Sequence, residues 1–356
     1  MGLLLDRALS KKPFIGVKLT MKANGLRKIE YPKIYPVPEG THRPFWSVMI
    51  PTYNCANYLV ETLESLLAQD PGPEHMQIEV VDDCSTKDNP EQVVREIGKG
   101  RVSFYRQPQN VGLTQNFNTC IRRSNGQVVH ILHGDDKVAQ GFYERLKLGF
   151  DTDDTLGAAF SRHHVINDHG HWLRTSELER QTPGILKNWI EHIALMQRIQ
   201  FPAIAVKRKV YEAIGGFTPN LSHAADWEMW RRIAVHFPVW FEPKVLAHYR
   251  SHSSSHTSQL AMTGDNLKDI HKSIEIAREY LPKSIADPIS DKAREYCAFS
   301  GINHARYFYD NGCFEVAVAQ LHAALACHFS PQVVRASLLL LIKAYLKQLK
   351  FLQGSS

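Results

Sequence analysis

The six cysteines of this 356-residue chain are few and scattered, with no C-x-x-C pair and no metal-ligand spacing. A disulfide scaffold and a zinc knuckle are excluded, and a reducing compartment, the cytoplasm, is the expected location. No uncharged run approaches the length of a membrane span. The apolar stretch Met1–Leu5 is too short for the core of a secretory signal. Basic charge is missing where a nucleic-acid binder needs it. Of 42 Lys/Arg and 36 Asp/Glu, nine and three fall in residues 1–44, leaving 33 of each elsewhere. The remainder is neutral, and nucleic acid is excluded as its partner. The basic arm reads as a soluble extension, or as a contact for anionic lipid or an acidic partner.

What is present is an ordinary globular composition, 44% apolar, on a chain long enough for a large domain and a smaller one. Three regions are expected: a basic arm over 1–44, an α/β domain over 45–260 and a helical region over 261–356. The arm ends in the Pro-containing stretch Tyr31–Gly40, read as extended. From Phe45 strands and helices alternate. Trp46–Ile50 is a strand that stops at Pro51-Thr-Tyr-Asn54, and the next helix aligns Leu59, Leu63, Leu66 and Leu67. Ile78–Val81 is a second strand, ending in Asp82-Asp83-Cys84-Ser85-Thr86. Pro90 suits the first turn of a helix whose inner side is Val93, Val94 and Ile97. Val102–Tyr105 is a third strand, and the second half of Asn110–Asn118 opens another helix. Such alternation predicts a mainly parallel sheet with ligands beyond the carboxyl ends of its strands.

The informative stretch is Val128–Asp136, Val-Val-His-Ile-Leu-His-Gly-Asp-Asp. Its short apolar run is a buried strand. It ends in two adjacent carboxylates, which repel each other and are costly to desolvate. A hard divalent ion, Mg²⁺ or Mn²⁺, would relieve both costs. A solvated Asp-Asp turn is the alternative reading. Polar clusters at three strand ends, Thr52–Asn54, Asp82–Ser85 and Asp135–Asp136, favour one shared edge.

Pro51-Thr-Tyr-Asn, Val80-Val-Asp-Asp-Cys-Ser-Thr, Asn110-Val-Gly and His133-Gly-Asp-Asp136 closely resemble the ordered motifs of family 2 glycosyltransferases. So do Val206–Phe217, Ala225–Arg232 and Tyr249-Arg-Ser-His252. The resemblance covers about residues 45–258 and rests on seven motifs in order. It implies a GT-A type fold and a metal-assisted, inverting transfer from a nucleotide-sugar, most often a UDP-sugar, to a hydroxyl of a glycan or lipid-linked acceptor. It makes Asp136 the metal ligand, completed by His252, and gives Asp135 the ribose or a metal-bound water. Many relatives have an Asp where this chain has His133, which reads as a filler at a strand end. The Asp82–Asp83 pair would accept a hydrogen bond from the base, and Pro51, Thr52 and Tyr53 would line base and ribose. Asn110, Gly112, Asn116, Asn118 and Arg250 are also placed at the donor, although Asn116 or Asn118 can instead cap a helix. The general base is assigned to Asp226, with Glu228 second. Burial beside Trp227 and Trp230 would raise the Asp226 pKa, whereas a position at a helix start, where Asp is also a good N-cap, would lower it. His248, His252 and His256 have helix-compatible spacing, but the intervening Ser run argues against a helix and so against zinc.

The chain is helical from Asp265. Ala305–Asp310 and Cys313–Cys327, broken at Asn311-Gly312, resemble one tetratricopeptide-like hairpin. It is expected to pack on the catalytic domain or to form a homo-oligomer. The last helix, Pro331 to Lys350, sets Arg335, Lys343, Lys347 and Lys350 opposite Leu338–Ile342, Leu346 and Leu349. It fits a helix–helix contact or, together with residues 1–44, a peripheral contact at the inner face of a membrane. Two alternatives in other classes are a sugar nucleotidyltransferase and a non-catalytic scaffold acting through its helical tail. The first would show a Gly-rich basic loop after the first strand, and Asn54–Tyr58 has neither Gly nor Lys.

Overall fold

The computed structural model describes residues 30–353, with side chains as far as Lys343. Its first half alternates β1 (Trp46–Thr52), α1 (Ala56–Leu67), β2 (Met76–Asp82), α2 (Pro90–Gly98), β3 (Ser103–Arg106), α3 (Leu113–Arg123) and β4 (Val128–Ile131). Then come β5 (Lys137–Val138), α4 (Phe142–Thr152), β6 (Ala158–Ile166), β7 (Trp172–Thr175), β8 (Gly184–Ile185) and α5 (Trp189–Leu195). A 3₁₀ turn at Phe201–Ala203 leads into β9 (Ile204–Lys207), α6 (Arg208–Ile214), α7 (Ala225–His236) and β10 (Val239–Arg250). The helical region is α8 (His256–Ala261), α9 (Asp265–Arg278), α10 (Lys283–Asp310), α11 (Phe314–Cys327) and α12 (Pro331–Gln353).

The strands form one sheet in the order β3-β2-β1-β4-β9-β6-β10-β5, with β7 on β6 and β8 on β10. The four strands of the first half pair in parallel, as their helical crossovers require. Beyond β4 the sheet is mixed: β9 runs antiparallel to both β4 and β6, and β6 pairs parallel to β10. All seven residues of β1 are buried, because β2 and β4 flank it and helices cover the sheet. Leu59, Leu63 and Leu66 of α1 are fully buried against this sheet, as their spacing predicts, and Leu67 is half-buried at the edge of the same core. The predicted start of α2 holds, with Asn89 capping the Gln92 N–H ahead of Pro90.

Residues from Tyr31 onward form one compact unit. The end of the expected arm is part of that body. Ile34 is buried, the Tyr31 hydroxyl donates to Glu228 at 3.1 Å, and the Pro32 carbonyl accepts from Gly216 N–H at 2.8 Å. Arg232 stacks on the Tyr31 ring at 3.6 Å. The remaining arm residues, 1–29, lie outside the described residues. The helical region packs on the α/β portion through α9 on α7 and α10 on α5. The expected hairpin is present as α10 and α11, joined at Asn311-Gly312 where Gly312 takes a φ of +80°. Among the described residues no helix is long and apolar enough to cross a membrane. Leu338, Leu339 and Ile342 of α12 are exposed, but the side chains of Leu346, Lys347, Leu349 and Lys350 lie outside the described residues.

Leu63→Ala should cost about 2–5 kcal/mol, since a fully buried leucine leaves a cavity in the sheet-facing side of α1. Denaturant unfolding measures this, and a loss below about 1 kcal/mol would show that α1 is not part of the core.

Candidate active site

The parallel register brings three carboxyl ends to one edge. Thr52 at the end of β1 lies beside Asp82 at the end of β2, and Asp83 N–H donates to the Thr52 carbonyl at 2.9 Å. On the other side Gly134 N–H donates to the Pro51 carbonyl at 3.1 Å. A Cβ on Gly134 would stand 2.6 Å from Thr52 Cγ2, so only glycine lets the two chains approach this closely. Tyr53, the next residue on this edge, is half exposed.

The two acids after β2 serve the loops around them. Asp82 is wholly buried and accepts from Thr52, Ser85 and Arg106, the last at 2.7 Å. Asp83 takes Val111 N–H at 2.8 Å on one oxygen and Gly112 N–H at 3.0 Å on the other. Burial raises its pKa against those two amides. Gly112 sits at a φ of +84° and ψ of 156° at the start of α3, a region that is almost glycine-only. Asn110 donates to the Asp83 carbonyl at 3.2 Å. Asn116 and Asn118 are buried and do not cap the helix. Asn116 donates to the Val81 carbonyl at 2.9 Å, and Asn118 exchanges two 2.8 Å bonds with the Phe217 backbone. Both tie α3 to neighbouring loops.

The acids after β4 differ in what holds them. Asp135 accepts from His252 Nε2 at 3.0 Å. Burial pulls its pKa up, but His252 and the nearby His133 outweigh burial and leave it below the usual carboxylate value. Asp136 is wholly buried. One oxygen takes Arg250 N–H at 2.8 Å, and Oδ2 has no partner among the described residues. Burial and the Asp135 charge push its pKa well up. His133 Nε2 is likewise buried without a partner, its ring stacked between Phe117 and Phe201 at centroid distances of 5.0 and 4.4 Å. Burial lowers the His133 pKa to about 4, so the imidazole is neutral and able to coordinate.

One ligand atom each from His133, Asp135 and Asp136 lies within 4.8 Å of the others. Two orphaned buried ligand atoms, one imidazole nitrogen and one carboxylate oxygen, beside a second carboxylate suit a divalent ion, and the residues present fit one. This differs from the set read from the sequence. His133 joins the acids in place of His252, whose two ring nitrogens face Asp135 and Ser254. Arg250 is also committed: its guanidinium binds Glu61 at 3.1 Å and the carbonyls of Asp135, Asn167 and Asp168.

Asp226 lies on α7, in from the helix start. The N-cap is Ala224, so Asp226 is not the cap. It is 9% exposed and accepts from Gln197 Nε2 and from Trp227 N–H, each at 2.6 Å. Of the two opposed influences on its pKa, burial wins: the carboxyl is raised to about 7 against the pull of the Trp227 N–H and Arg231. Glu228, one residue beyond Trp227, is fully buried and bound to Arg232 and Tyr31, which leaves it little freedom to act as a base.

Electrostatic reach joins the two parts. The Tyr249 phenol, buried ahead of Arg250, has its pKa raised first by burial and then by Asp136, Asp135 and Asp226 together. On the other flank Cys55 is raised by burial and then by Asp135, Asp88 and Asp82. The acids after β2 and β4 follow neighbouring strands at the Thr52 edge, whereas Asp226 lies on α7. Gln197 and Glu61 carried no sequence signal, since each reaches its partner across a long separation. Tyr249 lay inside a recognised motif but was given no role.

A family profile described as "Glycosyl transferase family 2" matches residues 47–215. An "Uncharacterized glycosyltransferase" from Rickettsia felis is 28% identical over 228 residues, which is 63% of this chain and 37% of that protein. The chain therefore spans little more than a third of that relative. Among solved structures, Staphylococcus aureus TarS 1–349 in complex with UDP-GlcNAc superposes with a TM-score of 0.62 at 18% identity, covering 87% of this chain and 92% of that one. Mannosyltransferase PcManGT from Pyrobaculum calidifontis, in complex with GDP-Man and Mn²⁺, superposes with a TM-score of 0.54 at 21% identity, covering 90% and 84%. The mixed sheet with its flanking helices is the GT-A fold of these structures.

Burying Asp226 has a cost that depends on pH. Its folded pKa lies above its unfolded value, so the group costs nothing below about pH 4, and the penalty grows as pH rises to about 7. Asp226→Asn should leave stability unchanged at pH 4 and raise it by about 2–4 kcal/mol at pH 8. Denaturant midpoints at the two pH values test this, and equal stability at pH 8 would contradict a raised pKa.

Proposed function

Since the chain is a glycosyltransferase with a family 2 domain over residues 47–215, we propose that it is an inverting enzyme. It moves one sugar from a UDP-sugar to a hydroxyl of a glycan or lipid-linked acceptor. The observation that supports this reading is a metal-competent set after β4 together with a buried carboxyl on α7 raised to about 7. The UDP assignment draws on the UDP-GlcNAc held by TarS.

Asp136, Asp135 and His133 would hold the ion. When bound it supplies Lewis-acid stabilisation of the charge that grows on the departing diphosphate. A nitrogen donor among the ligands favours Mn²⁺ over Mg²⁺, which prefers an all-oxygen shell. PcManGT was solved with Mn²⁺.

Asp226 takes the proton of the acceptor hydroxyl as its oxygen bonds to the anomeric carbon. The bond from that carbon to the phosphate oxygen breaks, and its electron pair leaves with the nucleoside diphosphate. A carboxyl titrating near 7 is matched to this task, being substantially ionised at neutral pH yet basic enough to accept a proton. Gln197 and the Trp227 N–H fix its two oxygens. Arg250 positions instead of binding substrate: its backbone N–H orients Asp136 and its guanidinium holds the Asp135 carbonyl. Asp83 keeps the Val111-Gly112 loop closed against the strand edge, where Thr52 and Tyr53 meet base and ribose.

A panel of UDP- and GDP-sugars, read by thermal shift with Mn²⁺, identifies the donor. At a hundredfold its Kd the correct one raises stability by about 2.7 kcal/mol. Asp226→Asn should retain that stabilisation while transfer from the same donor falls about 10²–10⁴-fold. Unimpaired transfer by this variant would remove Asp226 as the base.

A further inference from the structure

Helix α7 begins without a capping side chain, because its N-cap is Ala224 and the next residue is Ala225. The amides ahead of it are satisfied from α9. One oxygen of Asp269 accepts from Ser222 N–H at 3.1 Å, His223 N–H at 2.7 Å and Ala224 N–H at 2.8 Å. A carboxylate here also meets the positive end of the α7 dipole. Asp226 follows two residues after the last of these amides.

Two further ties hold the same helices together. Arg231 of α7 donates to the Ser273 carbonyl and hydroxyl, and Tyr280 just past α9 donates to the Glu228 carbonyl at 3.0 Å. Helix α9 is in turn seated on α11. Gln320 donates to Asn266 at 2.9 Å, and a Cβ on Gly264 would stand 2.9 Å from the Ala319 carbonyl. The helices beyond the matched family domain thus reach the start of α7 by an unbroken path.

We propose that Asp269 is the positioning residue for Asp226, which makes the C-terminal helical region a working part of the transferase site. This rests on Asp226 being the base. Asp269 acts from outside the reacting atoms in two ways: it fixes the loop that delivers Asp226, and its negative charge opposes ionisation there. Around Asp226 the other groups are Gln197, the Trp227 N–H, Tyr249 and Arg231, of which Arg231 acts in the opposite sense. Asp269 itself faces the imidazoles of His223 and His256.

The test is a titration of the full chain labelled with ¹³C at the aspartate carboxyls, with Asp226→Asn used to assign the Asp226 signal. Asp269→Asn should lower the Asp226 midpoint, because the opposing charge is lost while an acceptor oxygen for the loop amides is kept. Ser273→Ala breaks a neighbouring α7–α9 tie without altering charge and should leave the midpoint in place. Asp269→Ser loses the charge and, with its shorter side chain, the clasp on the three amides as well, and should shift the midpoint the same way by more. An Asp226 midpoint unchanged in a folded Asp269→Asn or Asp269→Ser chain overturns the proposal. The general-base reading fails separately, through undiminished transfer by Asp226→Asn, and the midpoint shift does not depend on that result.

Discussion

A carboxylate that has been removed from water and left half unbonded is the constraint around which this site is built. Asp136 is fully buried beside a second acid, one of its oxygens has no partner among the described residues, and its pKa is driven up in consequence. No hydrogen bond available nearby repairs this, since Arg250 gives Asp136 only its backbone N–H and turns its guanidinium elsewhere. A cation would repair it, and His133 would add a neutral nitrogen ligand beside the two acids. The close packing of Gly134 on Thr52, the Asp83 clasp on the Val111-Gly112 loop and the Arg250 anchor all keep this unfavourable arrangement in position.

Asp226 presents the same physics at lower intensity. It is slightly exposed and doubly hydrogen-bonded, and burial raises its carboxyl to about 7, while burial and the Asp135 charge push Asp136 well up. Two buried carboxyls thus differ through their surroundings, and the proposed function gives one to a cation and the other to a proton. The buried Tyr249 phenol is raised by burial first and then by both acids.

Much of this was legible in the sequence because it is local. Period and turn chemistry identify β1, β2 and β4 and the polar residues at their tips, and Pro90 marks a helix start. What was not legible depends on residues distant in the chain. Nothing near Ile204 says that β9 inserts antiparallel between β4 and β6. Tyr31 and Pro32 read as arm because their partners, Glu228 and Gly216, are nearly two hundred residues away. His133 reads as a filler at a strand end, which its aromatic packing fits, and its orphaned nitrogen beside Asp135 and Asp136 makes it a candidate ligand. An N-cap role for Asp226 was a fair local reading, but the cap position is Ala224 and its donors are met from α9.

The central claim is that His133, Asp135 and Asp136 bind a divalent ion, and Mn²⁺ titrated into the chain and followed by electron paramagnetic resonance tests it most directly. The account predicts one Mn²⁺ per chain with nitrogen modulation from an imidazole, the modulation lost in His133→Ala and the binding lost in Asp136→Asn. Mn²⁺ bound equally well by Asp136→Asn, or no binding by the native chain at millimolar Mn²⁺ with UDP present, would contradict it.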